Sequence, residues 1–318
     1  MATTSIQGLF LDSGAHSLFT KHAMAFGASS RGVTDAHYAY YGSEAFTEYL
    51  NKYIKFVRKY GKYFDGYVTV DVIFNPKMSA DVMQRLENAG LRPIPVVHYG
   101  TDVRWLDEVL SKKYDYIGLG GLGQGITVEN YMAWADVAWQ RICPASNDYR
   151  PLCKVHGFAM TSYVLLTRYP WYSVDSASCI KLAAYGGIYV PRKYKGKFAV
   201  YREVNGCRVF DLPLLQQRVS ECLAADNSGV VFPDESISKF ENLPRARQRH
   251  IMDWLAVVGE ALGENANDGS VESPGVINSH ESRYRVNRAC FRLMEEAKLP
   301  YNEDRFWPNK GRQHHDFF

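Results

Sequence analysis

Between residues 7 and 175 the chain repeatedly alternates a short apolar run with a longer segment of helical periodicity. That alternation narrows the fold more than any other property of the sequence. Strand-like runs lie at 7–12, 66–73, 93–98, 115–120, 153–159 and 171–175. Helical patterns lie between them, near 44–60, 78–89, 103–112, 127–142 and 161–168. In YLNKYIKFVRKY apolar and aromatic residues recur at helical spacing, and DVMQRLENAG does the same before closing on a glycine. Strands that alternate with helices form βαβ units, which set successive strands parallel in one sheet.

The runs end in chemically active residues. IQGLFLDSGAHS carries Asp12, DGYVTVDVI carries Asp71, RPIPVVHYG carries His98 and YPWYSVDSAS carries Asp175. YDYIGLGGLGQG ends in glycines, and CKVHGFAMTS ends in His156. In a parallel sheet all six ends converge on one rim. A carboxylate just beyond a buried strand is costly to desolvate unless it has a partner or a task. Functional residues at successive strand C-termini favour an α/β fold of the TIM-type (β/α)8 barrel class. A doubly wound open sheet is the competing architecture, and it would gather its site at one switch point. GGIYVP (186–191) and GVVFPD (229–234) are the candidates for the last two barrel strands.

After the barrel pattern, FAVYREVNGCRVFDL reads as a β-hairpin turning at Asn205-Gly206, an insertion spanning about 197–212. ARQRHIMDWLAVVGEAL reads as a helix, 264–282 as a polar loop and 280–297 as a last, basic helix. The expected organisation is a barrel over 1–235 and a basic helical C-terminal extension over 236–318.

A length of 318 residues with 46% hydrophobic side chains is ample for one large core. No run of 18 apolar residues occurs, so no membrane span is expected. The start, MATTSIQGLFLDSG, lacks a basic n-region, and a cytoplasmic protein is expected. Six scattered cysteines without a CxxC pair read as free thiols in such a compartment. The net charge of +3 is small, but basic residues cluster at 192–202, at 245–250 and at Arg283, Arg285, Arg288 and Arg292. Such clusters are either solvated faces or contacts to phosphate.

On residue chemistry alone, aspartates and histidines at barrel strand ends suggest a metal-dependent hydrolase. No HxH or HExxH pair supports that reading, and the two histidines lie on separate strands. Taken in order, the motifs resemble another group. LDSGAHS is similar to the DSGGFQ motif of the tRNA-guanine transglycosylases, IGLGGLGQG to their GGLAVGE loop, and PWYSVDSAS to the segment that carries their nucleophile. The set LDSGA, HYG, YIGLGGL, KVHGF and PWYSVDS more closely resembles the phage-encoded branch that inserts 7-deazaguanine bases into DNA. The resemblance covers roughly 7–190.

The resemblance implies a mechanism. Asp175 matches the nucleophile, which attacks the anomeric carbon of guanosine and holds the sugar as an ester. Asp12 matches the general acid/base that protonates the departing guanine and deprotonates the incoming base. Asp71 matches the carboxylate that grips the guanine-like N1/N2 edge. His98 stands where the tRNA enzymes have a base-reading glutamine, and His156, followed by Gly157, where they have a methionine packed on the base. Gly120 and Gly121 match glycines whose backbone approaches the base, with the Leu122 backbone beside them. The tRNA enzymes' zinc-binding CxCxxC motif is absent, so no cofactor and no structural zinc are expected. The scattered Cys207, Cys222, His280, Cys290, His314 and His315 are the only remote alternative. No added RNA-binding domain is evident, which favours DNA over tRNA as substrate. The target guanine is then flipped or single-stranded, and the small-molecule partner is a 7-deazaguanine base such as 7-cyano-7-deazaguanine. Arg192, Lys193, Lys195 and Arg202 are the expected backbone contacts. A phage-encoded enzyme would work in the host bacterial cytoplasm.

Each residue also has a structural reading. Asp12 and Asp175 can cap a turn and a helix, and Asp71 can pair with a lysine or arginine. His98 and His156 can be satisfied core histidines, and Gly120-Gly121 a strand-to-helix turn. A barrel that binds nucleic acid without catalysis is a further alternative, against which the trio Asp12, Asp71 and Asp175 argues.

Overall fold

The structure, a computed structural model, describes residues 9–26, 30–121, 126–160, 162–219, 240–265, 271–273, 275–298 and 305–306. By internal packing the described residues form two units. One comprises those up to Ala159 together with Trp171–Val174, and the other comprises Met160–Pro170 with those from Asp175 onward.

The first unit is a parallel α/β assembly. Its strands are β1 (Phe10–Leu11), β2 (Gly66–Tyr67), β3 (Val96–His98), β4 (Tyr116–Gly120), β5 (Lys154–Gly157) and β6 (Ser173–Val174). Its helices are α1 (Ala15–Phe26), α2 (Ser30–Tyr41), α3 (Glu44–Tyr60), α4 (Pro76–Asn88), α5 (Val103–Ser111) and α6 (Val128–Ile142). β1 pairs with β2, and the sheet β3-β4-β5-β6 follows in sequence order, every pair parallel. A single parallel bridge, Val68 to Ile94, joins the run after β2 to the run before β3. Strand order therefore does not reverse anywhere from β1 to β6. The sheet also curls. In a flat sheet β1 and β5 would lie about 19 Å apart, four spacings of about 4.8 Å. Yet the Phe10 ring of β1 stacks on His156 of β5 at 4.9 Å and meets Tyr116 of β4 at 5.8 Å.

The helices form where the sequence supplies caps. Ser43, Asn75, Asp102 and Thr127 each accept a backbone N–H at the start of α3, α4, α5 and α6. α3 turns Phe46, Leu50, Tyr53 and Val57 onto Val70 and Val72, with Val82 and Leu86 of α4 closing the same core. All five helices expected between the runs are present, within two residues at each end; α7 (Tyr163–Arg168), described with the second unit, is the fifth. α1 and α2 were not anticipated. AHSLFTKHAMAF and SRGVTDAHYAYY mix polar and aromatic residues without a clear apolar stripe.

The second unit holds α7, α8 (Ser178–Ala184), β7 (Gly187–Val190), β8 (Arg192–Tyr194), β9 (Lys197–Ala199), β10 (Arg202–Val204), β11 (Cys207–Val209) and β12 (Leu215–Arg218). It continues with α9 (Arg245–Val258), β13 (Glu264–Asn265), β14 (Val271–Ser273) and α10 (His280–Ala297). The expected hairpin is β10-β11, with Asn205 and Gly206 both at positive φ (52° and 78°) as a two-residue turn of this hand requires. β8-β9 is a second hairpin of the same kind, turning at Lys195-Gly196. Two expectations need correction. The 186–191 segment is a strand, but β7 pairs antiparallel with β12 instead of extending the parallel order. On α10, the Asn287 amide oxygen accepts the Tyr189 N–H at 2.6 Å, so a side chain satisfies a backbone donor of β7 that a parallel neighbour would otherwise take. The polar 264–282 segment, expected as loop up to the last helix, contains the small β13-β14 pair, while α10 starts at His280 as expected. The expected strand at 229–234 and the expected boundary at 235 lie outside the described residues. Ile188 and Val190 share a core with Trp254 and Leu255 of α9 and Val286 and Cys290 of α10.

Gly118 shows how tightly the curled sheet is filled. A β-carbon there would stand 2.5 Å from Cε2 of Phe158. Gly118→Ala should destabilise the protein by about 1–3 kcal/mol in urea unfolding, and adding Phe158→Leu should recover part of that loss.

Candidate active site

The run after β2 delivers Asp71, and β3 ends at His98. His98 Nε2 stands 2.9 Å from Asp71 Oδ2, and both residues are more than nine-tenths buried. Asp71 therefore pairs with a histidine and not with a lysine or arginine. Because a carboxylate oxygen accepts, Nε2 carries the imidazole proton, and in neutral His98 Nδ1 is left as an acceptor. One oxygen of Asp71 is thereby committed.

Tyrosines from α2 and α3 fix the backbone of these strand ends. Tyr41 donates to the Asp71 carbonyl at 2.6 Å, Tyr49 to the Ser13 carbonyl at 2.6 Å, and Tyr53 to the Val68 carbonyl. Burial, followed by the neighbouring Asp71 charge, pushes the Tyr41 hydroxyl above the usual tyrosine range. Burial also raises Tyr49, with Tyr40 and then Asp12 adding to the effect. Asp12 itself is exposed, and its carboxylate takes no hydrogen bond among the described residues. Two residues on, Gly14 has a φ of +76°, and a β-carbon there would lie 3.0 Å from the Tyr49 hydroxyl. Sequence reasoning passed over these tyrosines. Their only signal is the spacing of Tyr49 and Tyr53 one helical turn apart.

The glycines after β4 are structural as well as permissive. Gly121 has a φ of +95°, and a β-carbon on it would meet the Tyr99 nitrogen at 2.8 Å. Tyr99 N–H bonds the Gly120 carbonyl at 2.8 Å, which holds the two strand ends together. At Gly120 a β-carbon would touch His98 Cδ2 at 3.4 Å, so the residue is at the histidine's level. Leu122 lies outside the described residues.

His156 departs from its expected role. The ladder pairs it with Gly118 and pairs His98 with Gly120, so His156 sits two residues deeper along the strands. Its ring is stacked on Phe10 and held edge-on by Phe158 at 4.4 Å. Its Nδ1 lies 2.6 Å from Ser173 Oγ, which also bonds the Tyr116 hydroxyl. It is a core histidine in a polar cluster beneath the rim, with one face already covered. Gly157, also buried, pairs in the ladder with Leu119 and Val174.

Asp175 is the next residue after β6, exposed, with its carbonyl accepting the Met160 N–H at 2.9 Å. It does not cap α8, whose N-cap is Ala177. Of the expected phosphate contacts, Arg192 and Lys195 are exposed on β8 and its turn. Arg202 is engaged in a two-pronged contact with Asp211, which holds that carboxyl below its ordinary range. Lys193 Nζ lies 2.5 Å from Asp253 Oδ2 and lowers it likewise. Arg283, read as part of a basic face, is buried and donates to the carbonyls of Ala183, Val276 and Ile277.

Among the described residues no group of three or more His, Cys, Asp or Glu is placed to hold a metal ion. Of the scattered set, Cys222, His314 and His315 lie outside the described residues. Among the described residues, no helix is long and apolar enough to cross a membrane. In comparisons with known proteins, no family model, no curated protein and no solved structure matches the chain.

The dyad has a spectroscopic signature. Long-range 15N–1H NMR, with the His98 signal identified by its loss in His98→Gln, should place a proton on Nε2, the nitrogen that faces Asp71. Asp71→Asn and His98→Gln should couple by about 0.5–3 kcal/mol in a double-mutant unfolding cycle.

Proposed function

We propose that the chain is a guanine transglycosylase built on a (β/α)8-type barrel, exchanging guanine in DNA for a 7-deazaguanine base. One observation carries the reading. Six parallel runs follow one another in chain order, and Asp12, Asp71, His98, Gly120-Gly121 and Asp175 stand at the C-terminal ends of five of them. The curl that brings Phe10 onto His156 supports a barrel over an open sheet.

The chemistry follows from those groups. An oxygen of Asp175 bonds C1′ of the target nucleoside as the C1′–N9 bond breaks, and Asp12 supplies the proton that the departing guanine takes up. The nitrogen of the incoming base then attacks C1′, Asp175 leaves, and Asp12 recovers the proton from the incoming base. Two displacements retain the configuration of the sugar. Base recognition falls to the Asp71–His98 dyad. With Oδ2 engaged by His98, Asp71 has Oδ1 for a base N–H, and the acceptor Nδ1 of His98 takes another. That is a different grip from a two-pronged carboxylate. Arg192 and Lys195 remain as backbone contacts. Lys193 can join them at little cost, since exposed ion pairs are worth about 0–1 kcal/mol.

The test is base exchange by purified protein with guanine-containing DNA or tRNA and labelled 7-cyano-7-deazaguanine. Label should enter DNA, and Asp175→Ala should retain less than about 10⁻³ of the rate. Label in tRNA would move the substrate to RNA. No label in either, with tightly bound metal in the protein, would replace the reading with a metal-dependent hydrolase.

A further inference from the structure

α3 presents two unlike faces. Phe46, Leu50, Tyr53 and Val57 are buried on the strand runs. At 3.6 residues per turn, Lys52, Lys55 and Lys59 fall on the opposite side with Phe56 on its flank, and all four are exposed. The stripe continues through Tyr60, Lys62 and Tyr63 in the turn that follows. Between Glu48 and Asp65 there is no acidic residue, whereas Lys52, Lys55, Arg58, Lys59 and Lys62 are all cationic. Of these, Lys52 pairs with Glu48 at 3.0 Å. Arg58 donates to the Ala89 carbonyl at 2.5 Å, which leaves its charge at the surface.

The aromatic residues of this stripe are not where burial would put them. Phe56 is 43% exposed, Tyr60 37% and Tyr63 64%, so the three rings stand in water beside the cations. Phe56 and Tyr60 pack at 4.9 Å between centroids, with Phe64 next to Phe56 at 6.3 Å. Lys59 lies 4.9 Å over the Tyr60 ring and Lys62 lies 5.0 Å over Tyr63. A merely solvated helix face needs the lysines but not the rings. Cations that track a phosphate chain, interleaved with rings on which bases stack, match a single-stranded nucleic acid in both charge and shape.

We infer that the exposed face of α3 and its following turn form a surface for single-stranded nucleic acid. It is separate from the rim. β2 begins at Gly66, just past Tyr63, and the extended run from there to Asp71 measures about 17 Å at about 3.3 Å per residue. The surface is therefore a second contact for a strand, beyond any nucleotide held at the rim. It does not depend on the transglycosylase reading.

The experiment is fluorescence anisotropy of a labelled thymidine oligonucleotide of about 20 nucleotides, longer than the about 4–16 that one small fold covers. The full-length protein should bind it. The Lys55→Glu/Lys59→Glu/Lys62→Glu variant should bind at least tenfold more weakly, with the slope of log K against log salt reduced by about 2, at about 0.7 per phosphate contact. Phe56→Ala/Tyr60→Ala/Tyr63→Ala should weaken binding and leave that slope unchanged. A Lys→Gln triple variant with an unchanged circular dichroism spectrum guards against misfolding and should show the same direction. Wild-type binding and slope in both lysine variants would overturn the inference. So would loss of binding to phosphatidylserine vesicles with oligonucleotide binding intact, which would make this a membrane-facing stripe. Because the probe holds no guanine, its binding reports this surface whatever becomes of base exchange.

Discussion

Buried backbone groups must find hydrogen-bond partners, and in the first unit that requirement is met by parallel pairing carried from run to run in chain order. The consequences reach the side chains. Gly118 pairs with His156 and Gly120 with His98, so the register alone assigns one histidine to the rim and the other to the layer below. Curling of the same sheet then closes the lower layer. Phe10, arriving from β1, covers the His156 ring, while Ser173, itself bonded to the Tyr116 hydroxyl, takes up Nδ1.

The rim is held from behind. Three tyrosine hydroxyls from α2 and α3 bond backbone carbonyls at Ser13, Val68 and Asp71, which fixes the chain next to Asp12 and at Asp71. Such donors to buried carbonyls replace water that the helices exclude, and losing one leaves an unsatisfied acceptor. His98 is fixed on its other side, since its carbonyl accepts from Thr101 N–H at 3.2 Å and Thr101 Oγ1 at 2.7 Å. A site held so tightly can choose its proton positions. Asp71 decides which nitrogen of His98 carries the proton it accepts, and so which nitrogen faces away from the pair.

Much of this was legible in the residues. The five helices between the runs were read from helical spacing, and the β10-β11 hairpin from Asn205-Gly206. Asp71 and His98 stood out as polar residues closing apolar runs, and the structure brings them into contact. Pairing partners were less legible. Arg202, Lys193 and Arg283 looked alike as cations, but each is engaged by a partner that lies elsewhere in the chain: Asp211, Asp253, and the carbonyls of Ala183, Val276 and Ile277. β7 looked like another parallel strand because a short apolar run carries no mark of its neighbour's direction. The basic and aromatic face of α3 escaped notice because its lysines share a helix with the core residues, and only burial separates the two sides.

Much of the local order was determined by the sequence itself: the five helices between the runs, the β10-β11 hairpin, and the polar residues Asp71 and His98 closing apolar runs. Those properties depend on neighbours within a few residues, and periodicity and capping chemistry report them directly. Depth, partnership and ring coverage were decided only by the tertiary structure. His98 and His156 each follow a valine in a similar apolar run. One became a rim residue bonded to Asp71 and the other a covered core residue, because register and curl depend on residues far away along the chain.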